Sequence, residues 1–393
     1  MVATKTAPGT KNGQPAPLQK RSFLVGTQEV TEGGDYEATQ VIDASSHNLP
    51  PWQLQSTGWL RGLWLTCKGT GLTAGTATAD APWSIFASIE LDDVNNEAIF
   101  GPFDGYTAFA ANKMGGYQFV DDPGVSSVYA LSGTTTTNNF TFCLWIPLEI
   151  VARDPLGPVP SVNNTASLTL KMTTAAVAGV FGTITGTLSL NVKGTQSFYW
   201  EPKKADKAGN PIAESPAAAG TTQYWTQGSV PIAGAGTINQ QLITGLGYPF
   251  RTYLFLLRDA SGTRSGGETN WPDPLIGLKF EANMLLSNYS KTLWQNSISQ
   301  MTGYNSATND ARGAGVVPGK EAGLYSYWWS NDFAFRKPGS ETRRKYLVTS
   351  PGSNMIFNGS IGGAGNLYTI VNYVAPGGGA SGAGNTAPLT GGR

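Results

Sequence analysis

A chain of 393 residues has the length of two or three domains. Hydrophobic residues make up 40% and charged residues only 13%, about half the usual globular share, so Thr, Ser, Asn, Gln and Gly must solvate the surface or partners must cover it. The 26 basic and 26 acidic residues cancel, which excludes the basic footprint of a nucleic-acid-binding body and makes packing of identical copies electrostatically cheap.

In chain order, residues 1–20 read as a flexible arm. Lys5, Lys11, Lys20 and Arg21 precede the first acid, Glu29, and Pro8, Pro15 and Pro17 oppose a helix. Residues 1–22 contain no apolar leader core, and no apolar run reaches the roughly 18 residues of a membrane span, so synthesis in a host cytoplasm is the expectation. A first domain, 21–200, is expected to place strands at 22–30, 36–43, 59–68, 83–91, 138–151, 166–173 and 184–200. Residues 183–193 alternate apolar with Thr, Ser, Asn and Lys, which predicts a strand with one wet face. Residues 140–147 are apolar on both faces, which predicts a central strand whose outer face meets something else. The Pro, Gly, Ala and charge of 201–221 read as a linker. A second domain, 222–375, is expected to place strands at 222–230, 236–243, 250–258, 274–284, 323–336, 345–350 and 366–375, before a flexible Gly-rich tail, 376–393.

The two halves repeat one another. Residues 57–117 are echoed by 245–304: an apolar strand with one arginine (Arg61, Arg251), a Gly/Thr/Ser-rich turn, and a strand marked by Trp and Pro. A short helix follows, at 105–114 and at 290–301, and then Gly116-Tyr117 or Gly303-Tyr304. A repeat this long implies two copies of a whole domain rather than a solenoid module. About eight strands and one inserted helix per copy predict an all-β protein of two consecutive eight-stranded jelly-roll sandwiches, a double jelly roll. Paired immunoglobulin-like sandwiches fit less well, because they want about 100 residues each and no helix in mid-domain.

Catalytic chemistry finds little to work with, and no residue is assigned a catalytic, cofactor-binding or metal role. The single histidine, His47, sits in a Pro-rich loop and could complete a triad only by itself. Cys67 and Cys143 lack metal spacing; buried reduced thiols are the first reading, one bridge between them the second. Asp92-Asp93-Val94-Asn95-Asn96-Glu97 is a hairpin turn before it is a calcium loop, and Gly313-Ala314-Gly315 lacks the Lys-Ser/Thr of a phosphate cradle. The 11 Trp and 15 Tyr residues favour core and interface packing over a sugar-stacking face. One ring of Trp328-Trp329 is expected inside its sandwich and the other outside against a neighbour.

The doubled pattern, carried by the units at 57–117 and 245–304 and by the strand Phe140–Val151 followed by Arg153-Asp154-Pro155-Leu156-Gly157, resembles the double jelly-roll major capsid proteins of tailless, membrane-containing icosahedral bacteriophages, the tectivirus-like group. The resemblance implies a structural, non-enzymatic virion protein without cofactor. It also implies pseudo-hexagonal homotrimers that tile an icosahedral shell, with neighbouring trimers, penton and minor capsid proteins as partners. Family members often bring an N-terminal helix to an internal membrane; the arm here departs from that, leaving Lys5, Lys11, Lys20 and Arg21 a weak contact with membrane or nucleic acid. The rival readings are a carbohydrate- or receptor-binding spike-like sandwich and a β-sandwich hydrolase with two carboxyl groups about 5–10 Å apart.

Overall fold

The structure is a computed structural model that describes residues 20–21, 29–30, 36–55, 58–118, 131–132, 139–152, 157–160, 167–199, 213–214, 221–244, 246–304, 321–333, 341–342 and 345–376. Residues 1–19 of the arm expected at 1–20, most of the linker, the tail beyond 376, residues 22–28 of the strand expected at 22–30, Arg153–Leu156 and Arg336–Gly339 lie outside the described residues; Glu29–Val30 of that strand pairs with Phe198–Tyr199.

In the first half the strands are β1 (Tyr36–Ile42), β2 (Trp59–Ala77), β3 (Phe86–Asp92), β4 (Ala98–Phe103), β5 (Asn139–Pro147), β6 (Thr169–Thr174) and β7 (Phe181–Tyr199), with helix α1 (Gly105–Met114) after β4. One sheet runs β1–β7–β2–β5, and the facing layer runs β4–β3–β6 and ends on the short strand Trp52–Gln53. The second half contains β8 (Thr221–Ile232), β9 (Gly236–Gln241), β10 (Pro249–Asp259), β11 (Leu275–Phe280), β12 (Asn283–Tyr289), β13 (Leu324–Trp328), β14 (Met355–Ile361) and β15 (Gly365–Pro376). Helix α2 (Arg264–Asn270) follows β10, and α3 (Lys291–Thr302) follows β12. Its sheets run β8–β15–β10–β13 and β9–β14–β11–β12.

Counted in chain order within each half, the strands stand one–eight–three–six in one layer and two–seven–four–five in the other, in both halves. That shared order is the double jelly roll. The helix between strands five and six is shared too: Asp104 caps α1 by accepting from the Thr107 backbone N–H at 2.6 Å, and Ser290 caps α3 by accepting from Leu293 at 3.2 Å.

Period-two patterning explains the cores. Leu63, Leu65 and Cys67 on β2, Phe142 and Leu144 on β5, and Leu188, Leu190 and Val192 on β7 are all fully buried, while Ser189, Asn191 and Lys193 point the other way, as the alternation predicts. The second core gathers around Phe255, Trp271, Trp294, Tyr325 and Phe357, with Trp271 stacked on Tyr325 at 4.0 Å.

Several elements differ from the sequence expectation. The single strand expected over 274–284 is two, because the chain reverses at Glu281, which takes a φ of 54° that only a turn tolerates. Strand β4 was not expected, since Gly101-Pro102 reads as a turn. Strand β14 was not expected either: Asn358-Gly359 looks like punctuation, but a Cβ on Gly359 would come within 2.7 Å of the Pro272 ring packed against it. Strand β2 runs on to Ala77, nine residues past the expected end, and β13 stops at Trp328.

Candidate assembly faces

The repeated arginine marks equivalent places in the two sandwiches. Arg61, near the start of β2, donates from Nε and Nη2 to the Glu149 carboxylate at 2.9 and 3.0 Å. Arg251, near the start of β10, donates in the same bidentate way to Glu341 at 2.9 and 2.8 Å. All four side chains are buried. A guanidinium fork matched to a carboxylate is the pairing that best withstands loss of water. Arg251 does more: its Nη1 donates to the Gly115 carbonyl at 2.8 Å, at the end of α1 in the other sandwich.

That contact belongs to a continuous junction. All ten residues of α1 are buried. Trp328 Nε1 donates to the Met114 carbonyl at 2.9 Å, Gln223 Nε2 donates to the Glu149 carbonyl at 2.6 Å, and Tyr304 OH donates to the Gln118 carbonyl at 2.8 Å. Strand β4 meets β8 in a parallel bridge at Phe100–Trp225, which joins one layer of each sandwich into a single sheet. The face of the second sandwich that receives α1 carries Leu254, Leu256 and Ile370, all at most 1% exposed, on the side of the sheet opposite Tyr253 and Phe255. The Trp328-Trp329 expectation resolves here: the Trp328 ring leaves its own sandwich, and the neighbour it meets is the first half of the same chain. Trp329 lies edge-on to Tyr327 at 5.0 Å.

At the margin of the junction six charges alternate. Glu321 accepts from Lys113 Nζ at 3.0 Å, from Arg264 Nη1 at 3.3 Å and from Tyr106 OH at 3.3 Å. Asp80 pairs with both Arg264 and Arg258, and Arg258 reaches Asp104 at 3.3 Å. Asp80, Asp104 and Lys113 come from the first half and Arg258, Arg264 and Glu321 from the second, so the three cations and three anions are shared across the contact. Arg264 also lies 3.9 Å over the Tyr106 ring. A cleft of about 390 Å³ opens beside Asp80, Asp104 and Arg258. Its charges are committed to one another rather than to a ligand.

Burial pushes the Asp80 carboxyl up, but Arg264 and then Arg258 outweigh it and hold it below the usual carboxylate range. A depressed folded value means that Asp80 contributes stability above the unfolded value of about 3.9 and that this contribution is lost as pH falls through the folded value. The urea midpoint is therefore expected to stay level from pH 7 to about 5 and to drop below about pH 4. A midpoint unchanged at pH 3 would show that the Asp80 pairs add nothing to the folded state.

Among the described residues, no element of the chain covers the equivalent face of the first sandwich. On β1–β7–β2–β5 the outer residues Glu37, Thr39, Thr66, Lys68 and Lys193 are exposed, Val41 is 49% exposed, and Trp64 is half-buried against Trp145, with ring centroids 4.8 Å apart. The counterpart of α1 is open as well: Leu293 on α3 is 51% exposed, and Met284 on β12 and Ile276 on β11 are 47% and 45% exposed. Among the described residues β12 pairs only with β11, and β1 only with β7. These are the edges that correspond to the bridged pair β4 and β8.

The remaining candidates sit apart from these faces. His47 contacts Asp43 at 2.9 Å on a partly exposed loop. Asp93 accepts from the backbone N–H groups of Asn95 and Glu97 at 2.7 and 2.9 Å, the bonding of a hairpin turn. Cys67 and Cys143 are free thiols on neighbouring strands but opposite faces; Cys67 lies in the core and Cys143 on the outer face, 3.7 Å from Thr66 Oγ1. Burial pushes the Cys67 thiol far up. In the single folded chain one thiol is therefore expected to react with a disulfide reagent, at Cys143; two equal reacting thiols would contradict this placement. Sequence reasoning missed Glu321 and Arg264 altogether, because residues far apart in the chain carry no local pattern for a charge network.

No family model matches the sequence, and no curated protein sequence matches it. Solved structures do. The chain aligns over 88% of its length with 97% of the STIV major capsid protein, at 13% identity and a TM-score of 0.53. It aligns equally, over 88% of its length, with 91% of a chain in the atomic structure of Sulfolobus Turreted Icosahedral Virus, at 13% identity and a TM-score of 0.54. At this identity the likeness is one of fold, and it covers both sandwiches together with their arrangement.

Proposed function

We propose that this chain is the major capsid protein of an icosahedral virus, a structural rather than catalytic component of the virion that assembles as a homotrimer. Residues 21–200 and 222–375 form its two jelly rolls. The observation that carries the reading is the junction and its uncovered duplicate. One sandwich presents a helix and a strand edge, and the next receives them on the outer face of β8–β15–β10–β13. The second sandwich offers the same helix and edge again, as α3 and β12, and the first sandwich offers the receiving face again, as β1–β7–β2–β5. Repeating the in-chain contact between chains is a head-to-tail interface, and such an interface closes a ring when the rotation fits. Two sandwiches per chain give six around a threefold axis, so three identical chains imitate a hexagon and can tile a curved lattice.

The interface joins Val41, Trp64 and their polar neighbours on one chain to Met284 and Leu293 on the next. A permanent trimer of this kind buries more than about 2,000 Å² per interface. A closed shell also needs fivefold corners, so penton and minor capsid proteins are the other expected partners. Light scattering on the purified protein is expected to return the mass of three chains, and electron microscopy a flat particle of triangular or hexagonal outline. A stable monomer at micromolar concentration would refute the reading.

A further inference from the structure

Lys113 and Glu321 meet in a closed setting at the junction. Both side chains are 0% exposed, and Lys113 Nζ lies 3.0 Å from Glu321 Oε1. The other carboxylate oxygen, Oε2, accepts from Tyr106 OH and from Arg264 Nη1, both at 3.3 Å. Tyr106 and Arg264 are fully buried too. Aromatic rings flank the ammonium, with the Tyr304 centroid at 5.5 Å and the Phe109 centroid at 5.9 Å. The pairs Lys171–Asp92, Lys193–Glu37 and Lys291–Glu268 differ, because their lysine side chains are 51%, 61% and 26% exposed.

In bulk water an ammonium and a carboxylate remain ions, because water solvates both. Burial removes that advantage, and a buried ion pair carries a desolvation cost that a neutral amide does not. Fixed contact also removes the entropy of encounter, an advantage equivalent to a concentration of roughly 10⁵ M or more. The junction accommodates the change in charge. Of its three cations and three anions, condensation of this pair removes one of each and leaves Arg264 and Arg258 matched by Asp80 and Asp104.

We propose that Lys113 and Glu321 condense into an isopeptide bond once the two sandwiches have docked. Nζ passes a proton to Oε1, its hydrogen-bond partner, and the freed lone pair attacks Cδ. The negative charge that develops on Oε2 is met by the Tyr106 hydroxyl and the Arg264 guanidinium, the arrangement of an oxyanion hole. A second proton moves from nitrogen to Oε1, the Cδ–Oε1 bond breaks with loss of water, and Oε2 re-forms the carbonyl. One N–H stays in the amide, so ammonium and carboxylate give one neutral amide and one water with no further reactant. Lys113 lies in the last turn of α1 and Glu321 precedes β13, so the bond ties the first sandwich covalently to the second. The inference concerns a single chain and does not rest on the capsid reading.

Intact-mass measurement of the purified full-length chain, followed by tryptic mapping, tests it. The expected mass is one water below that of the sequence, with no cleavage after Lys113 and the peptides holding Lys113 and Glu321 joined. Lys113→Arg keeps a cation that does not condense, and it is expected at its full sequence mass. Tyr106→Phe removes only the hydroxyl, and it is expected to form the bond roughly 100-fold more slowly in a cell-free synthesis time course. Lys171, paired with Asp92 but half exposed, is expected to stay free. A folded wild-type chain at full mass, with both peptides free, overturns the proposal. So does a lost water with the Lys113 and Glu321 peptides unlinked, which assigns the loss to a succinimide elsewhere in the chain.

Discussion

Replacing Glu321 with alanine is expected to destabilise the chain by about 3–5 kcal/mol, the usual cost of removing one partner from a buried ionic group. Glu321 is fully buried and accepts from Lys113, Arg264 and Tyr106, so its loss takes a buried carboxylate away from two buried cations, of which Arg264 keeps its pairing with Asp80. Lys113 belongs to the first sandwich and Arg264 to the second, so the damage falls on the contact between them rather than on either core. Thermal unfolding should therefore start about 10 °C lower and separate toward two transitions, one per sandwich. The double variant Lys113→Met/Glu321→Leu is expected to recover part of the loss, because apolar groups of similar volume often replace a buried ion pair at small cost. A Glu321→Ala loss below 1 kcal/mol in urea titration would mean that the apolar face under α1, and not the charge network, holds the halves together.

Assembly is expected to respond as strongly to residues that folding ignores. Leu293 and Met284 are about half exposed in the single chain, so Leu293→Glu and Met284→Glu should each alter its stability by no more than about 0.5 kcal/mol. In the proposed trimer both lie against the outer face of the first sandwich of the next chain. A carboxylate buried there without a partner costs several kcal/mol, which weakens each interface by roughly 100-fold or more. Light scattering is expected to return monomer for either variant at concentrations where the wild type is a trimer, with unchanged circular dichroism and melting. Trp64→Glu should also block trimers from the receiving side, but with a lower melting temperature, because that ring packs on Trp145. Trimers that persist in all three variants would move the interface elsewhere and remove the pseudo-sixfold argument.

These two expectations rest on different parts of what the chain makes legible. The doubling could be read directly, because Arg61 and Arg251, the helices at 105–114 and 290–301, and the Gly-Tyr pairs after them recur in order; the sandwich positions follow from this repeat. The wet face of β7 was equally plain from its alternation, since a pleated strand turns each second side chain outward. Strands β4 and β14 were hidden because Gly and Pro signal turns locally, yet here they serve close packing: Gly359 leaves room for Pro272. The break between β11 and β12 was hidden for the converse reason, a reversal at Glu281 without glycine or proline.

An all-β chain made twice over, poor in charge and without an obvious catalytic set, is legible in the order of residues alone, because hydrophobic period and internal repetition are local properties that survive in one dimension. How the two copies meet follows from their packing in three dimensions. Lys113 and Glu321 are separated by some two hundred residues, and α1 becomes wholly buried while its counterpart α3 keeps an open side. Both facts depend on where two finished sandwiches lie relative to one another. Burial of a charge or a helix face is a property of that arrangement, and no window of neighbouring residues contains it.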